Sequence, residues 1–186
     1  CSDDSDARER LYIQEGTLVA YPQSAVSAHV SICPNHQTGN STSIESRFNV
    51  ALTGSFGYEL DWNKVSPEEL KAVRAQTDFY KKYRDVIAYG DYYALGSAFK
   101  NDVFGWIYVA KDKSKAVAVM VKNSLLTSFE MSEETFFFKG LDQTADYRVT
   151  LRAQANKQVE LNKVAGGDLL CHRGLKLGRY FKETDR

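Results

Sequence analysis

The chain has 186 residues, of which 43% are hydrophobic and 12% aromatic, enough for one large or two small hydrophobic cores. Because 24 basic and 24 acidic residues give a net charge of zero, the composition argues against a nucleic-acid or membrane partner. No apolar run is long enough to span a membrane and no signal peptide is visible, so we expect a globular protein.

The first elements that the sequence predicts are a helix and a short strand. Asp6 can cap a helix that ends at Gly16, because its carboxylate can accept the unpaired backbone N–H groups of the first turn. The small residues of SAVSAHVSIC then predict a strand that leads into Pro34.

Two further helices follow, with a strand between them. Ser43 or Ser46 can begin the second helix, SIESRFNVALTG, with Gly54 just past its end, and SFGYELD predicts the next strand. Ser66 opens the third helix as an N-cap, followed by a proline and a capping-box glutamate, and this helix runs to Gly90. Its apolar residues recur at helical spacing: Leu70, Val73, Tyr80 and Ile87.

The alternation of strands and helices in residues 1–90 predicts a parallel sheet with helical crossovers. Two or three such units cannot close a barrel by themselves. The fold class that we expect for this half is therefore the last part of a (β/α)8 TIM barrel.

Residues 91–186 predict strands almost throughout. The strand-like runs are YYALGSAF, FGWIYVAKD, AVAVMVKN, TFFFKGL, DYRVTLRA and KQVELN. A polar hairpin loop at residues 111–115 separates two of them, and Gly140, Gly166 and Gly167 mark other turns. Short strands at this spacing predict an antiparallel β-sandwich, with the domain boundary near Gly90.

Three carboxylates, Asp3, Asp4 and Asp6, form the densest acidic cluster, and they lie where a strand gives way to a helix. In a barrel this junction belongs to the catalytic face. Paired carboxylates there can serve in glycosyl transfer, bind a metal or cap a helix, and composition alone favours capping. Metal binding is the weakest alternative, because no histidine lies at ligand spacing and the pattern of a calcium loop is missing.

A polar loop on the same face carries further candidates. For His29 and His36, which flank it, a structural role is favoured over a catalytic one, and Cys33 with His36 is only superficially a nucleophile pair. The amide and hydroxyl side chains of the loop suit hydrogen bonds to sugar hydroxyls, although a solvated loop would have the same composition: Asn35, Gln37, Thr38 and Asn40.

Several other residues have both a structural and a functional interpretation. Arg47 can pair with Glu45 or an upstream carboxylate, and the simpler alternative is a surface ion pair. Three cysteines, Cys1, Cys33 and Cys171, argue against a disulfide framework and favour buried thiols. Five aromatic residues could stack on sugars, but we expect them in the sandwich core: Tyr92, Tyr93, Phe104, Trp106 and Tyr108.

The chain resembles the carboxyl-terminal part of the alpha-galactosidases of glycoside hydrolase family 36 in four stretches: CSDDSDARERLYIQEGT, YPQSAVSAHVSICPNHQTGN, SIESRFNVALTGSFGYELD and SPEELKAVRAQTDFYKKYRDVIAYGDYYAL. The resemblance extends more weakly over the remaining residues. It implies a retaining glycosidase that hydrolyses terminal alpha-1,6-linked galactose of melibiose, raffinose and related oligosaccharides with two carboxylates.

The resemblance also implies roles for residues at the start of the chain. The acid/base aspartate of the family lies in a Ser-Asp motif, which this chain has as Ser2 and Asp3, so Asp3 is the expected general acid/base. Asp4 and Asp6 are lesser candidates, with Asp6 as the helix cap, and Cys1 and Ser2 are expected to line the substrate site. The family's nucleophile motif is absent, so we expect the chain to be part of a longer enzyme and to carry only the acid/base half of the catalytic pair.

Two alternatives stay open at this point: a galactosyl-transferring enzyme of the same family, and a stand-alone carbohydrate-binding β-domain. The second leaves the helix-strand half without a role. The resemblance implies a galactose-containing oligosaccharide as the partner and neither cofactor nor metal. For the full-length protein it implies a cytoplasmic homo-oligomer, of homotetramer type.

Overall fold

The structure, a computed structural model, describes residues 3–122, 135–152 and 162–176. Residues 1–90 form one compact unit, and the described residues from Asp91 onward belong to a second. No helix in the described part of the chain is both long and apolar enough to cross a bilayer.

The first unit combines three helices with a two-stranded sheet. Its elements are, in order, α1 (Ala7–Leu18), a short 3-10 turn (Gln23–Ala25), β1 (Ser27–Ser31), α2 (Ile44–Ala51), β2 (Ser55–Glu59) and α3 (Pro67–Tyr89). β1 and β2 pair in parallel, with Ser27 opposite Ser55. The expected parallel sheet with a helical crossover is confirmed.

Each helix of the first unit begins at a side-chain cap that the sequence already indicates. The side chain of Asp6 accepts a hydrogen bond from a backbone N–H of α1, and Ser43 does the same for α2. Ser66 and Glu69 form a complete capping box at the start of α3. These bonds satisfy backbone N–H groups that have no partner within their own helix.

The prediction that α1 ends at Gly16 is wrong, since the helix continues to Leu18. A glycine inside a helix costs about 1 kcal/mol relative to alanine, which is too little to stop a helix whose neighbours are well bonded. The Thr17 hydroxyl donates to the Ile13 carbonyl at 2.7 Å, and the Thr17 carbonyl in turn accepts the backbone N–H of Tyr21 at 2.9 Å. The helix therefore ends two residues after the glycine.

The helices of the first unit cover one face of its sheet. Ala28 and Val30, on that face of β1, are completely buried, as is Phe48 of α2, whose ring meets that of Phe56 edge-on at 5.2 Å. His29 lies on the opposite face of β1 and is exposed. The sheet of this unit is thus apolar towards its helices and polar on the other side.

The second unit is mainly antiparallel, as predicted. β3 (Asp91–Ala94), β4 (Val103–Val109) and β5 (Ala116–Lys122) form a three-stranded sheet. Two further pairs join β6 (Thr135–Phe136) to β9 (Leu175–Lys176) and β7 (Asp146–Thr150) to β8 (Asn162–Gly166). The strand expected in TFFFKGL is only two residues long, and KQVELN lies outside the described residues except for Asn162.

Helix α4 (Gly167–His172) was not expected, because Gly166 and Gly167 predict a turn. A Cβ atom at Gly167 would lie 1.9 Å from the Asp142 carbonyl oxygen. Gly167 therefore permits a close approach of two backbone segments. Helix α4 nevertheless begins at this residue.

The core of the second unit lies between its sheets. Its buried members are Ile107, Val109, Phe136, Phe138, Leu141, Ala165, Leu170 and Leu175. Phe104, Trp106 and Tyr108 are also buried, but along β4 they alternate with Ile107 and Val109 and so lie on the other face of the strand, outside this core cluster. Of the five aromatic residues expected in the sandwich core, Tyr93 packs against the cluster, and Tyr92 is half-buried. Burial, with a smaller contribution from Tyr92, raises the pKa of Tyr108.

Candidate active site

Asp6 is a buried carboxylate that the surrounding chain holds in its ionised form. It lies in the acidic segment, residues 3–6, and is 1% exposed. It accepts hydrogen bonds from the Arg8 backbone N–H at 2.7 Å, the Asn40 amide at 2.7 Å and the Thr38 hydroxyl. Burial alone would raise the pKa of Asp6, but these bonds outweigh it and lower the pKa below 3.8. A carboxylate with these partners caps a helix and does not act as a proton donor near neutral pH.

Asp4 and Asp3 have different surroundings from Asp6 and from each other. Asp4 is partly buried, and its Oδ1 accepts the backbone N–H of Asp6 at 2.9 Å. Asp3 is exposed, and its carboxylate accepts no hydrogen bond from any of the residues that the structure describes. Of the three clustered aspartates, Asp3 is the most exposed to solvent.

The polar loop, residues 35–40, contacts the acidic segment through its side chains. The Oε1 of Gln37 accepts the Ser5 backbone N–H at 2.8 Å and the Ser5 hydroxyl at 3.1 Å. The Nε2 of the same amide donates to the Asp3 carbonyl at 3.0 Å. The Asn35 amide, in a residue only 7% exposed, donates to the Ser5 hydroxyl at 3.0 Å. These side chains bind the protein itself, a role that neither the sugar-binding nor the solvated-loop interpretation anticipates.

These hydrogen bonds determine where the acidic segment lies. The polar loop follows the carboxyl end of β1, and the contacts with Gln37 and Asn40 hold the acidic segment beside it. The carboxyl ends of parallel strands form the active-site face of a (β/α)8 barrel. The expected juxtaposition of acidic cluster and polar loop on one face is therefore present.

Arg47 does not form the predicted surface ion pair. It is buried, and its guanidinium donates to the carbonyls of Ser31, at the end of β1, and Thr42, the latter at 3.2 Å. Glu69, a carboxylate that the sequence pattern does not indicate as its partner, lies 3.6 Å from the guanidinium. The guanidinium satisfies carbonyl groups in the chain that leaves β1, which gives it a structural role.

The histidine and cysteine candidates do not gather into a site. His29 and His36 are both exposed, and the Nε2 of His29 lies 3.4 Å from the Ser27 hydroxyl. The expectation of buried thiols is wrong for Cys33, which is exposed, whereas Cys171 is half-buried. In the described ranges, no group of three or more His, Cys, Asp or Glu side chains is placed to hold a metal ion. Cys1 and Ser2, expected to line the substrate site, lie outside the described residues.

Arg10 is a buried residue beside this site that the sequence pattern does not single out. Its Nη2 donates to the Ser27 carbonyl at 2.7 Å, where β1 begins. Burial lowers the pKa of Arg10, and the nearby carboxylate of Asp4 raises it. An arginine one turn into a helix usually faces solvent, so nothing in the sequence signals this contact.

Two family models match the chain. Residues 1–90 match the model described as Melibiase, and residues 103–185 match the one described as Glycosyl hydrolase family 36 C-terminal domain. Together they cover most of the sequence.

Among curated proteins, the chain is 38% identical to Alpha-galactosidase AgaA of Geobacillus stearothermophilus over 95% of its own length and 22% of that protein. It is 36% identical to the Bifunctional alpha-galactosidase/sucrose kinase AgaSK of Mediterraneibacter gnavus, over 100% of the chain and 19% of the relative. The chain thus spans about a fifth of the length of these relatives.

The solved structures agree with the curated proteins. The crystal structure of AgaA superposes with a TM-score of 0.87 at 36% identity, over 99% of this chain and 24% of that one. Variants of AgaA with the same TM-score were solved in complex with raffinose and with stachyose. The galactosidase domain of AgaSK gives a TM-score of 0.85 at 35% identity.

Proposed function

The chain belongs to glycoside hydrolase family 36, and from this premise we propose that it supplies the general acid/base, Asp3, of a retaining alpha-galactosidase. The proposal concerns the complete protein that contains this sequence, because the relatives are about five times longer. The nucleophile is expected from another part of that complete protein.

One observation carries the assignment to Asp3. Its carboxylate is exposed and has no hydrogen-bond partner among the described residues, whereas Asp6 is buried with three donors and Asp4 accepts a backbone N–H. A general acid/base must reach the leaving oxygen and then a water molecule, so it needs an accessible carboxyl group. The position of the acidic segment at the carboxyl end of β1 supports the same role.

The chemistry assigned to Asp3 has two steps. In the first, its carboxylic acid protonates the glycosidic oxygen while the nucleophile attacks the anomeric carbon. In the second, the resulting carboxylate takes a proton from water, which then hydrolyses the covalent intermediate. Asp6 stays ionised through both steps and holds the start of α1.

The substrate that we propose is an oligosaccharide with a terminal alpha-linked galactose. The AgaA complexes with raffinose and stachyose support this class, and the double-displacement route is the one that the family resemblance implies. The match of residues 1–90 to the melibiase model gives the helix-strand half a role, which disfavours a stand-alone binding domain. A cytoplasmic location and a homo-oligomeric assembly stay predictions.

The test is the Asp3→Asn variant of the complete enzyme. This change preserves shape but removes the transferable proton, so kcat/KM for raffinose should fall by roughly 10²–10⁴. An aryl alpha-galactoside with an acidic phenol should lose much less in its first step, because that leaving group needs little protonation.

Azide provides a second readout. In the Asp3→Ala enzyme it can attack the intermediate from the face that the carboxyl group vacated, without a general base, and should give alpha-galactosyl azide. Asp4→Asn is the matched control and should keep the wild-type preference among leaving groups. The assignment moves to Asp4 or Asp6 if replacing that residue gives this behaviour while Asp3 variants resemble the wild type.

A further inference from the structure

The amide of Gln37 makes an unusual pair of contacts with the segment that carries Asp3. It accepts from the Ser5 N–H at 2.8 Å and donates to the Asp3 carbonyl at 3.0 Å. In an extended chain, the C=O of one residue and the N–H two residues later point to the same side. One side-chain amide therefore bonds this segment as a neighbouring strand would.

The orientation of this amide is determined by its partners. A backbone N–H can only donate and a backbone carbonyl can only accept, so Oε1 must face Ser5 and Nε2 must face Asp3. The loop in turn holds Gln37, whose own N–H donates to Asn35 Oδ1 at 2.9 Å. Asn35 is tied to Asn40 by a backbone bond of 2.8 Å.

The contact lies close to the proposed catalytic group. The carbonyl that Gln37 holds belongs to Asp3 itself, so its carbon is bonded directly to the Cα that bears the catalytic side chain. Asp3 has no side-chain hydrogen bond from a described residue that would set its position. The hydrogen bonds to the backbone of residues 3–5 are therefore the contacts through which the described part of the fold can position this carboxylate.

We propose that Gln37 is the positioning residue of the acid/base: its side-chain amide fixes the backbone of residues 3–5 and thereby aims the Asp3 carboxylate at the leaving group. This inference rests on the proposed function. Gln37 does not touch substrate in this role, and it acts through Asp3. A displacement of about 1 Å at a catalytic group can cost on the order of 100-fold in rate.

The first experiment replaces Gln37 with leucine, which has a similar size and no hydrogen-bonding group, in the complete enzyme. We expect kcat for raffinose to fall on the order of 10- to 100-fold, with a clearly smaller loss for an activated aryl alpha-galactoside. Hydrogen exchange should also become faster at the Ser5 amide. Gln143→Leu, at an exposed glutamine of the second unit, is the matched control and should change neither quantity.

The second experiment uses Gln37→Glu as a conservative variant. A protonated glutamate has one acceptor and one O–H donor and can reproduce both bonds, whereas the ionised form has no donor for the Asp3 carbonyl. The activity ratio of this variant to wild type should therefore rise as pH falls towards about 4.3, the ordinary glutamate pKa, while the ratio for Gln37→Leu stays constant.

The charged neighbours of position 37 make this pH test specific. The carboxylates of the acidic segment would raise the pKa of an introduced glutamate, which moves the recovery to higher pH. His36, the adjacent residue, is common to all three proteins and therefore cancels in the ratio.

The outcomes separate this inference from the proposed function. If the wild-type enzyme has no alpha-galactosidase activity, or if Asp3→Asn has no effect that depends on the leaving group, the proposed function fails and the inference fails with it. If those tests succeed but Gln37→Leu slows both substrates equally, or leaves Ser5 exchange unchanged, only the positioning role is wrong. If Gln37→Leu folds poorly, the Gln37→Glu variant decides whether Gln37 has the positioning role. Its activity ratio to wild type is followed across pH on a single preparation.

Discussion

Asp6 offers a sharp test of how the acidic segment is held. The Asp6→Ala change removes a helix cap, worth about 1 kcal/mol, and two further bonds to a charged acceptor, each worth about 1.5–3 kcal/mol. We therefore expect the local opening free energy of α1 to fall by about 4–7 kcal/mol. In Asp6→Asn the side-chain oxygen can still cap the helix. The new NH2 group then faces the NH2 group of Asn40, so the hydrogen bond between these two side chains is lost, at a cost of about 2 kcal/mol.

Native-state hydrogen exchange of residues 7–18 measures these losses directly. A loss of 2 kcal/mol corresponds to exchange about 30-fold faster in Asp6→Asn, and the alanine variant should exchange faster still. The double variant Asp6→Asn with Asn40→Asp restores a donor opposite an acceptor and should recover part of the loss. Exchange rates in Asp6→Asn within threefold of wild type would refute the argument that these bonds hold the helix start.

The pH dependence of the Asp6 effect has a definite sign. The folded pKa of Asp6 lies below its ordinary value of 3.8, so the ionised form contributes stability above that pH. The contribution disappears as pH falls through the lowered folded pKa. The difference between wild type and Asp6→Asn should thus be constant from about pH 5 to 7 and shrink below pH 3.8.

Two further predictions address other parts of the chain. A Cβ atom at Gly105 would lie 2.1 Å from the Val119 carbonyl in the neighbouring strand, so Gly105→Ala should destabilise the protein by about 2–3 kcal/mol in urea unfolding. Gly16, which is helical and where a Cβ would meet no atom within 4 Å beyond its chain neighbours and its own helix backbone, is the matched control; alanine there should stabilise by up to about 1 kcal/mol. Finally, a polypeptide of residues 1–186 alone should not hydrolyse an aryl alpha-galactoside, because the nucleophile is expected elsewhere; turnover free of contaminating enzyme would contradict this.

Features with a local cause could be predicted from the sequence. The caps at Asp6, Ser43 and Ser66 follow from side chains that bond the next few backbone N–H groups, and the structure has all three. The alternation of strand and helix likewise indicates the parallel pairing of β1 with β2. Glycine is less dependable, because Gly16 lies inside a helix and Gly167 begins one.

Features that depend on distant residues could not be predicted in this way. Arg47 and Glu69 meet through the packing of two helices, and Gln37 reaches a backbone group 34 residues away. Composition describes the polar loop correctly as a set of hydrogen-bonding groups but does not identify their partners. The resemblance to a family names Asp3, whereas only the folded structure distinguishes its surroundings from those of Asp4 and Asp6.

The bonds between the polar loop and the acidic segment also bear on how the chain folds. They join residues 30 to 34 positions apart, with α1 and β1 between them. The entropy lost on closing such a loop grows only with the logarithm of its length and is incurred once for all of these bonds. We therefore expect them to form together, after the helix and strand are in place. Changes in the polar loop should then accelerate unfolding far more than they slow folding.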